Sequence, residues 1–322
     1  MPHKLNAKGR RHIPRARHRV RNWRAYNEGL RNRGSLTIWI SPEALDTWRA
    51  PKRTTRGGQT IYSDTAIEMA LTLRGVFGLA LRQTEGLLGS VLRLLEVDLA
   101  VPDFSTLSRR AAGLAVRPWP RQSGEALHLI VDSTGLRLRG AGEWEIEKHG
   151  ATRRRSWSKL HIGLDANTGE IVCFALTAKD VDDAGQVEAL LHQVDEPIVS
   201  FRGDGAYDGD PVRRVVNTHS PGARFIAPPR KGAILSPTAA TAPTQRDCDI
   251  QHIDRHGRMA WQKASTYNQR SRVEAEMSRY KRVMGDGLRS REDGRRLTEV
   301  KIKVKCLNRM AKLGRPDSVR VA

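Results

Sequence analysis

Residues 127–135 read LHLIVDSTG, an apolar run of strand length that carries one acidic residue, Asp132, near its end. Such a run, bounded by Ser, Thr and Gly, is typical of a buried strand. A carboxylate within or just after a buried strand costs free energy unless a positive charge compensates it, and a divalent cation does so effectively. The stretch predicts a central strand with a candidate metal ligand at Asp132. The alternative is a strand-end aspartate that caps a turn.

A second acidic residue, Asp204, follows a short apolar strand predicted over residues 197–201 and is flanked by Gly203 and Gly205. Functional side chains of an open α/β sheet gather beyond the carboxyl ends of its strands. We therefore expect Asp204 and Asp132 to lie close together. A plain turn between two glycines is the alternative interpretation.

A third candidate, Glu274, lies in a helix predicted over residues 265–284. Four residues separated in turn by three, four and seven positions share one face of that helix: Tyr267, Arg270, Glu274 and Lys281. One face then carries an acid between cationic and phenolic groups. Two alternatives stay open: a surface helix with solvated charges, or Tyr267 and Arg270 as packing and ion-pair partners of Glu274.

The chain has 322 residues, a formal net charge of +21 and an isoelectric point near 10.7. Its length allows one substantial core plus a smaller domain, and its charge predicts attraction to a polyanion such as DNA, RNA or an acidic membrane surface. No apolar run approaches the roughly 20 residues of a membrane span, and the basic N-terminus does not read as a secretory signal. Three widely spaced cysteines, Cys173, Cys248 and Cys306, fit a reducing cytoplasm.

Nine lysines and arginines precede the first acidic residue, Glu28. We predict a basic N-terminal arm over residues 1–60 that orders when it meets phosphates. A solvated tail is the alternative. The nine cations are Lys4, Lys8, Arg10, Arg11, Arg15, Arg17, Arg19, Arg21 and Arg24.

Helical periodicity follows over residues 61–120, with a break at Pro102 before a second, shorter helix. The pattern resembles a helix-turn-helix whose second helix carries Arg109 and Arg110 toward the DNA major groove. We predict a helical DNA-binding domain here. An ordinary helical hairpin is the alternative.

Residues 121–322 alternate strands and helices. The predicted elements are strands at 127–139, 158–165 and 170–178, a helix at 182–194, a strand at 197–201, a helix at 211–217, a strand at 223–227, an irregular insertion at about 228–258, and helices at 265–284 and 297–313. This is the order of an α/β, ribonuclease H-like mixed-sheet catalytic domain. In that arrangement Asp132, Asp204 and Glu274 converge at one end of the sheet.

Two further clusters have two interpretations each. Cys248, His252 and His256 have metal-ligand spacing but lack the paired motif of a zinc site. Cations surround one aromatic residue near the second strand, as in a DNA-backbone clamp with a base-stacking residue or a hairpin with a core tryptophan. This second cluster consists of Arg153, Arg154, Arg155, Trp157 and Lys159.

Several segments, taken in order, resemble the bacterial insertion-sequence transposases of the DDE class, family five. They are LRQTEG at 81–86, STLSRR at 105–110, VDSTGL at 131–136, WSKLHIGLD at 157–165, DGAYD at 204–208 and the Tyr, Arg, Glu, Lys spacing. The resemblance implies a ribonuclease H-like catalytic domain, a requirement for Mg²⁺ or Mn²⁺, and cleavage and joining at the inverted repeats of the element. By position, the family's acidic triad falls on Asp132, Asp204 and Glu274, and its signature Tyr, Arg and Lys fall on Tyr267, Arg270 and Lys281.

Phosphodiester chemistry suits this residue set. The diester resists attack because its anionic oxygens repel nucleophiles and its leaving oxygen is poor, and two cations about 4 Å apart counter both effects. We expect hydrolysis at the element end to free a 3′-hydroxyl, which then attacks target DNA directly. Arg270 and Lys281 would contact the flanking phosphates, and Tyr267 would bind a phosphate or position Glu274.

The expected setting is double-stranded DNA in the bacterial nucleoid, with a homodimer bridging two element ends. Two other function classes stay open. One is a non-catalytic DNA-binding protein, such as a repressor or a domesticated transposase. The other is a nuclease of the same fold that cleaves RNA or branched DNA without joining.

Overall fold

The structure, a computed structural model, describes residues 17–40, 42–54, 56–116, 124–138 and 157–321. The chain divides into two units. One contains the described residues up to Trp39 and from Arg309 onward, and the other is Ile40–Asn308.

The smaller unit joins the two ends of the described chain. Its elements are β1 (Arg17–Val20), α1 (Trp23–Asn32), α2 (Leu36–Trp39) and β8 (Ser318–Val321), with β1 antiparallel to β8. Gly29 is required in α1, because a Cβ atom there would lie 2.5 Å from the carbonyl oxygen of Leu313. Trp39 is buried and its Nε1 donates to the carbonyl of Arg33 at 2.9 Å.

This folded segment corrects the prediction of a basic arm over residues 1–60. From residue 17 the chain forms strand and helix, and Trp39, which follows the cations, is buried although Trp23 is exposed. Trp48, in the larger unit, is also buried and its Nε1 donates to the carbonyl of Ala100 at 2.7 Å. The predicted arm residues Lys4, Lys8, Arg10, Arg11 and Arg15 lie outside the described part of the chain.

Helices open the larger unit. They are α3 (Pro42–Asp46), α4 (Asp64–Phe77), α5 (Leu81–Leu94) and α6 (Phe104–Arg110), and α4, α5 and α6 pack on one another. Ser63 caps α4 by accepting from the Ala66 N–H at 3.1 Å, and Gly78 ends it in a left-handed conformation. Asp103 caps α6. The helical pattern predicted over 61–120 is therefore present, and its DNA-binding role stays a prediction.

A six-stranded mixed sheet forms the centre of the larger unit. Its strands are β2 (Leu127–Leu138), β3 (Trp157–Asp165), β4 (Ile171–Ala178), β5 (Ile198–Arg202), β6 (Arg224–Ile226) and β7 (Gly287–Leu288), in the order β4-β3-β2-β5-β6 with β7 also paired to β2. The pairs β2–β3 and β3–β4 are antiparallel, and β2–β5 and β5–β6 are parallel. This topology confirms the predicted α/β, ribonuclease H-like mixed sheet.

Alternating side chains give β2 two different faces. Leu129 and Val131 pack into the core formed with α7 (Val187–Leu191) and α8 (Asp210–His219). Ile130 and Asp132 alternate with them, so they lie on the opposite face. Two helices complete the unit after the sheet, α11 (Ser271–Met284), which contacts β2, and α12 (Asp293–Leu313), whose last residues belong to the smaller unit. The alternation therefore leaves Asp132 on the face opposite the α7 and α8 core.

Part of the predicted irregular insertion at 228–258 is helical, which corrects that prediction. Residues 245–256 form α9 (Gln245–His256), followed by α10 (Arg258–Ala264). Thr244 and Asp247 cap each other at the start of α9, and the Asp247 carboxylate also accepts from the Ser236 N–H at 2.7 Å. A capping box thus overrides the Pro- and Thr-rich composition that precedes it.

The predicted helix at 265–284 begins later than its periodicity indicates. Thr266 has a φ of 58°, and such a left-handed residue cannot continue a right-handed helix. A short 3-10 turn, Tyr267–Arg270, follows it, and α11 starts at Ser271. Tyr267 and Arg270 therefore lie before the helix that carries Glu274.

Candidate active site

Asp132 lies in the middle of β2, opposite Ile162 of β3. One carboxylate oxygen accepts from the Ser133 N–H at 2.8 Å, and the other accepts from Arg270 Nη2 at 2.7 Å. Its side chain is only 15% exposed. The position in a buried strand agrees with the sequence pattern, whereas the guanidinium as the immediate partner of Asp132 was not predicted.

Asp204 lies two residues beyond the end of β5, where it precedes the 3-10 turn Gly205–Tyr207. Its Oδ1 accepts from the Ala206 N–H at 2.8 Å, and its Oδ2 lies 3.9 Å from Arg270 Nη2. The turn that one interpretation predicts is therefore present, and the metal-site interpretation stays a prediction. Asp204 caps a turn with one oxygen and turns the other toward Asp132 and Arg270.

Glu274 lies in the first turn of α11, with Oε1 2.6 Å from Arg270 Nη1. Arg270 itself is held in the 3-10 turn by the left-handed Thr266, whose Oγ1 accepts from Arg202 Nη2 at 3.0 Å. A strand, a strand-end turn and a helix therefore each contribute one acid. All three carboxylates lie within 3.9 Å of one guanidinium.

One cation, Arg270, is shared by three acids in this cluster, and this sharing affects the pKa of Asp132. Burial raises the pKa of Asp132, while Arg270 and the Ser133 N–H lower it and the neighbouring carboxylates Asp204 and Glu274 raise it again. The pKa of Asp132 ends above its ordinary value. The cluster carries more negative than positive charge, so an additional cation would be attracted to it.

Tyr267 and Lys281 occupy different surroundings. The Tyr267 ring lies 5.6 Å from the buried ring of Trp261, and burial raises the pKa of the Tyr267 hydroxyl. Lys281 lies further along α11, and no ion pair within 4.0 Å joins it to any of the three described carboxylates. Tyr267 therefore lies next to Trp261 of α10 and within electrostatic reach of Arg270 and the three acids, whereas Lys281 makes no ion pair with them.

The two arginines predicted to read DNA differ in their contacts. Arg109 is exposed, and its hydrogen bond within the described residues is local, to Thr106 Oγ1 at 3.1 Å. Arg110 donates to the Tyr62 carbonyl at 2.9 Å and pairs with Asp64 at 2.5 Å, which ties α6 to the start of α4. Arg109 is thus available to a partner, while Arg110 is engaged within the fold.

The predicted metal ligands can be compared with this geometry. Within the described ranges, no three His, Cys, Asp or Glu side chains are grouped so that they could hold a metal ion, and this includes the triad. The Arg270 guanidinium lies between the triad's carboxylates instead. The donor set fits Mg²⁺ or Mn²⁺ chemically, since it consists of carboxylate oxygens already arranged around a positive charge. Asp132, Asp204 and Glu274 would hold such an ion once the guanidinium is displaced from between them.

The other two clusters gain no ligand chemistry from the fold. Cys248, His252 and His256 line α9, but Asp249, a possible fourth ligand, accepts from Trp261 Nε1 at 2.8 Å. Arg153, Arg154 and Arg155 lie outside the described residues. Trp157 is partly exposed and its ring lies over Gly135, which favours neither interpretation of that cluster.

Comparison with known families decides the affiliation. A family model described as "Transposase DDE domain" matches residues 123–309, more than half of the chain, and a second model of that description matches residues 31–141. The chain belongs to the DDE transposases. The resemblance derived from the short motifs is thereby confirmed at the level of the DDE class.

Solved structures of transposases also match this DDE transposase. One is described as the piggyBac transposase synaptic complex with hairpin DNA, with a TM-score of 0.42 and 12% identity over 92% of this chain and 76% of that chain. Another is described as the Mos1 strand transfer complex, with a TM-score of 0.20 and 11% identity over 82% of each chain. In the described part of the transposase, no helix combines the length and apolar character that a membrane crossing requires.

Sequence reasoning missed the residues that position the cluster. Arg202 and Thr266 hold the turn before Arg270, and the buried Tyr207 ring packs against Gly203, where a Cβ atom would lie 2.6 Å from it. The sequence gives a signal for one of these features and none for the other. Gly203 next to an acid indicates close packing, whereas nothing in the sequence marks a left-handed threonine.

Proposed function

We propose that this DDE transposase binds the terminal inverted repeats of its own element, cleaves DNA strands to free 3′-hydroxyls and joins them to target DNA by direct transesterification. One observation supports the proposal most strongly. Three acids that are far apart in the sequence, on β2, after β5 and on α11, converge on the single guanidinium of Arg270. A structural ion pair needs one carboxylate, so a triad gathered beside the carboxyl end of β5 favours a catalytic role.

DDE transposases use divalent metal ions as a class, and we propose that Asp132, Asp204 and Glu274 hold two Mg²⁺ or Mn²⁺ ions here. A divalent ion bound there would neutralise the phosphate and stabilise both the attacking and the leaving oxygen. The protein's own part is positional. Asp132 and Asp204 each fix one oxygen by a backbone N–H and leave the other directed at the shared centre.

Arg270 is proposed to exchange partners when DNA binds. Its guanidinium contacts carboxylates in the DNA-free protein, and the two non-bridging oxygens of a DNA phosphate can accept from the same guanidinium. Moving from the acids to the phosphate next to the scissile bond would expose the carboxylates and hold the substrate in one step. Tyr267 and Lys281 are proposed to contact neighbouring phosphates on the same side.

DNA binding outside the centre is assigned to residues 61–120 and to the basic N-terminal residues, with residues 121–322 as the catalytic domain. The net charge of +21 supplies general attraction to the phosphate backbone. Arg109, exposed on α6, is the proposed base or backbone contact of the helix-turn-helix-like segment. We propose a homodimer that holds two element ends, acting at the bacterial nucleoid.

The test uses a labelled duplex carrying the terminal repeats that flank the gene. Asp132→Ala, Asp204→Ala and Glu274→Ala should each abolish metal-dependent strand cleavage and joining while duplex binding stays close to wild type. Asp195→Ala is the matched control, because Asp195 is exposed before β5 whereas Asp204 follows it. Wild-type protein that binds the duplex but never nicks it would favour the non-catalytic alternative. Cleavage without joining would indicate a nuclease.

A further inference from the structure

A cavity remote in sequence from the acidic triad is lined by an excess of cations. It has a volume of about 50 Å³ and lies among α4, the residues after α11 and the first half of α12. Four cationic side chains and one acidic side chain line it: Arg74, Arg289, Arg295, Lys303 and Glu299. Lys303 is buried and Arg74 and Arg295 are half-buried, so their charges are partly removed from water and favour an anionic partner.

Glu299, the one acidic residue that lines the cavity, already accepts several hydrogen bonds. Glu299 accepts from the Arg289 N–H at 3.1 Å, from the Ser290 N–H at 2.9 Å and from Lys303 Nζ at 2.9 Å. Although burial acts in the other direction, Lys303 and these N–H groups hold the pKa of Glu299 below its ordinary value, so it is ionised. Glu299 therefore balances Lys303, and its hydrogen-bonding capacity is largely committed before Arg74 is considered.

Two of the remaining cations also have partners. The Arg289 guanidinium donates to the carbonyls of Gly78 and Leu79 at 2.8 and 2.9 Å, just after the end of α4. Arg295 Nε lies 3.3 Å from Glu292, although it makes no hydrogen bond. These contacts fix both side chains at the cavity wall.

Arg74 is the exception. Its Nε is buried without a hydrogen-bond partner, and among the described residues no carboxylate oxygen lies within 4.0 Å of its guanidinium. A buried donor without an acceptor is destabilising, and more so when the donor group is charged. The Arg74 side chain lines the cavity and has no carboxylate partner in the described part of the chain, so an anion placed there would pair with its charge. The space exceeds the roughly 10–15 Å³ that one water needs.

We propose that this cavity binds an oxyanion of the phosphate class, held by Arg74 and Arg295 against the apolar wall of α4 and α12. The ligand is either free phosphate or a phosphate of the DNA backbone. The proposal does not depend on the catalytic role of the acidic triad, because none of the residues that carry it belongs to that cluster.

The experiment titrates inorganic phosphate into the full-length, DNA-free protein and follows heat of binding and Tm. Wild type should bind with a dissociation constant on the order of 1 mM or tighter. Arg74→Gln should weaken binding at least tenfold. Arg291→Gln, which removes an exposed cation outside the cavity, should change it less than twofold. Arg295→Gln serves as the second variant if Arg74→Gln does not fold.

A second experiment, with duplex DNA, distinguishes free phosphate from a phosphate of the DNA backbone. If phosphate competes with duplex DNA and Arg74→Gln weakens duplex binding, the cavity takes a backbone phosphate. If duplex binding is unchanged by Arg74→Gln while phosphate binding falls, the ligand is a free anion. The proposal is overturned if wild type binds no phosphate, or if Arg74→Gln and Arg291→Gln lower binding equally, since both results mean only general attraction to a basic protein.

Discussion

Replacing Arg270 by Gln tests how the guanidinium and a divalent ion share the acidic triad. In the DNA-free protein, Arg270 donates to Asp132 at 2.7 Å and to Glu274 at 2.6 Å. An ion that binds all three carboxylates must displace these bonds. Arg270→Gln removes the positive charge and keeps a polar side chain, so we expect the variant to bind Mn²⁺ more tightly than wild type.

The magnitude follows from the two contacts. The bond to the largely buried Asp132 is charge-assisted and contributes roughly 1.5–3 kcal/mol, whereas the pair with the exposed Glu274 contributes less than about 1 kcal/mol. Part of this is returned because the displaced guanidinium is rehydrated. A net competition of about 2–3 kcal/mol corresponds to an increase in Mn²⁺ affinity of roughly 30- to 150-fold.

The assay is Mn²⁺ binding followed by electron paramagnetic resonance without DNA, beside duplex binding by gel shift. Arg279→Gln is the matched control, because Arg279 pairs with Glu276 at 2.9 Å on the same helix. Arg270→Gln should gain Mn²⁺ affinity and lose duplex affinity, while the control keeps its Mn²⁺ affinity. Mn²⁺ affinity that is unchanged or weaker in folded Arg270→Gln would refute the reasoning, since the guanidinium would then organise the carboxylates rather than compete for them.

Other predictions concern DNA contact and stability. Arg109→Gln should weaken duplex binding and reduce its salt dependence with no change in Tm. Arg110→Gln should lower the free energy of unfolding by about 1 kcal/mol, because Arg110 binds Asp64 and the Tyr62 carbonyl. This loss is measured as a fall of a few degrees in Tm. Asp208→Asn should cost about 3 kcal/mol at neutral pH in denaturant unfolding, because its buried carboxylate pairs with Arg213 and Arg246. Burial acts to raise the pKa of Asp208, but these arginines hold it below its ordinary value. The stabilisation is therefore complete above the unfolded-state pKa of about 3.9 and is lost as the pH falls through the pKa of Asp208 in the folded protein. The stability gap between wild type and Asp208→Asn should therefore close in acid, and a gap independent of pH would contradict the assignment.

Most of the sheet could be predicted from the periodicity of apolar residues along the sequence. The apolar alternation of residues 127–138 and the hairpin that follows fix β2, β3 and β4, and a strand delivering Asp204 can be identified because few polar residues interrupt 197–202. The acids could be singled out because each breaks an otherwise apolar or glycine-rich context. Their convergence then followed from the strand order rather than from any local signal.

The parts that could not be predicted depend on tertiary contacts. Thr266 adopts a left-handed conformation that is unfavourable for a β-branched residue, and its hydrogen bond with Arg202 at the end of β5 helps to hold it there. Helix α9 follows a Pro- and Thr-rich segment whose composition hides a two-residue capping box. The N-terminal cations suggested a free arm, because charge along a sequence does not show that Trp39 and Trp48 are buried.

Iron-promoted cleavage of the polypeptide tests most directly whether positions 132, 204 and 274 form one metal centre. Fe²⁺ that replaces Mg²⁺ generates radicals which cut the chain near the bound ion, and the fragments are mapped by mass spectrometry. We predict cuts near all three positions, each suppressed by excess Mg²⁺ and lost together in Asp132→Ala. Cuts confined to one position, or unaffected by Mg²⁺ and by Asp132→Ala, would contradict a shared site.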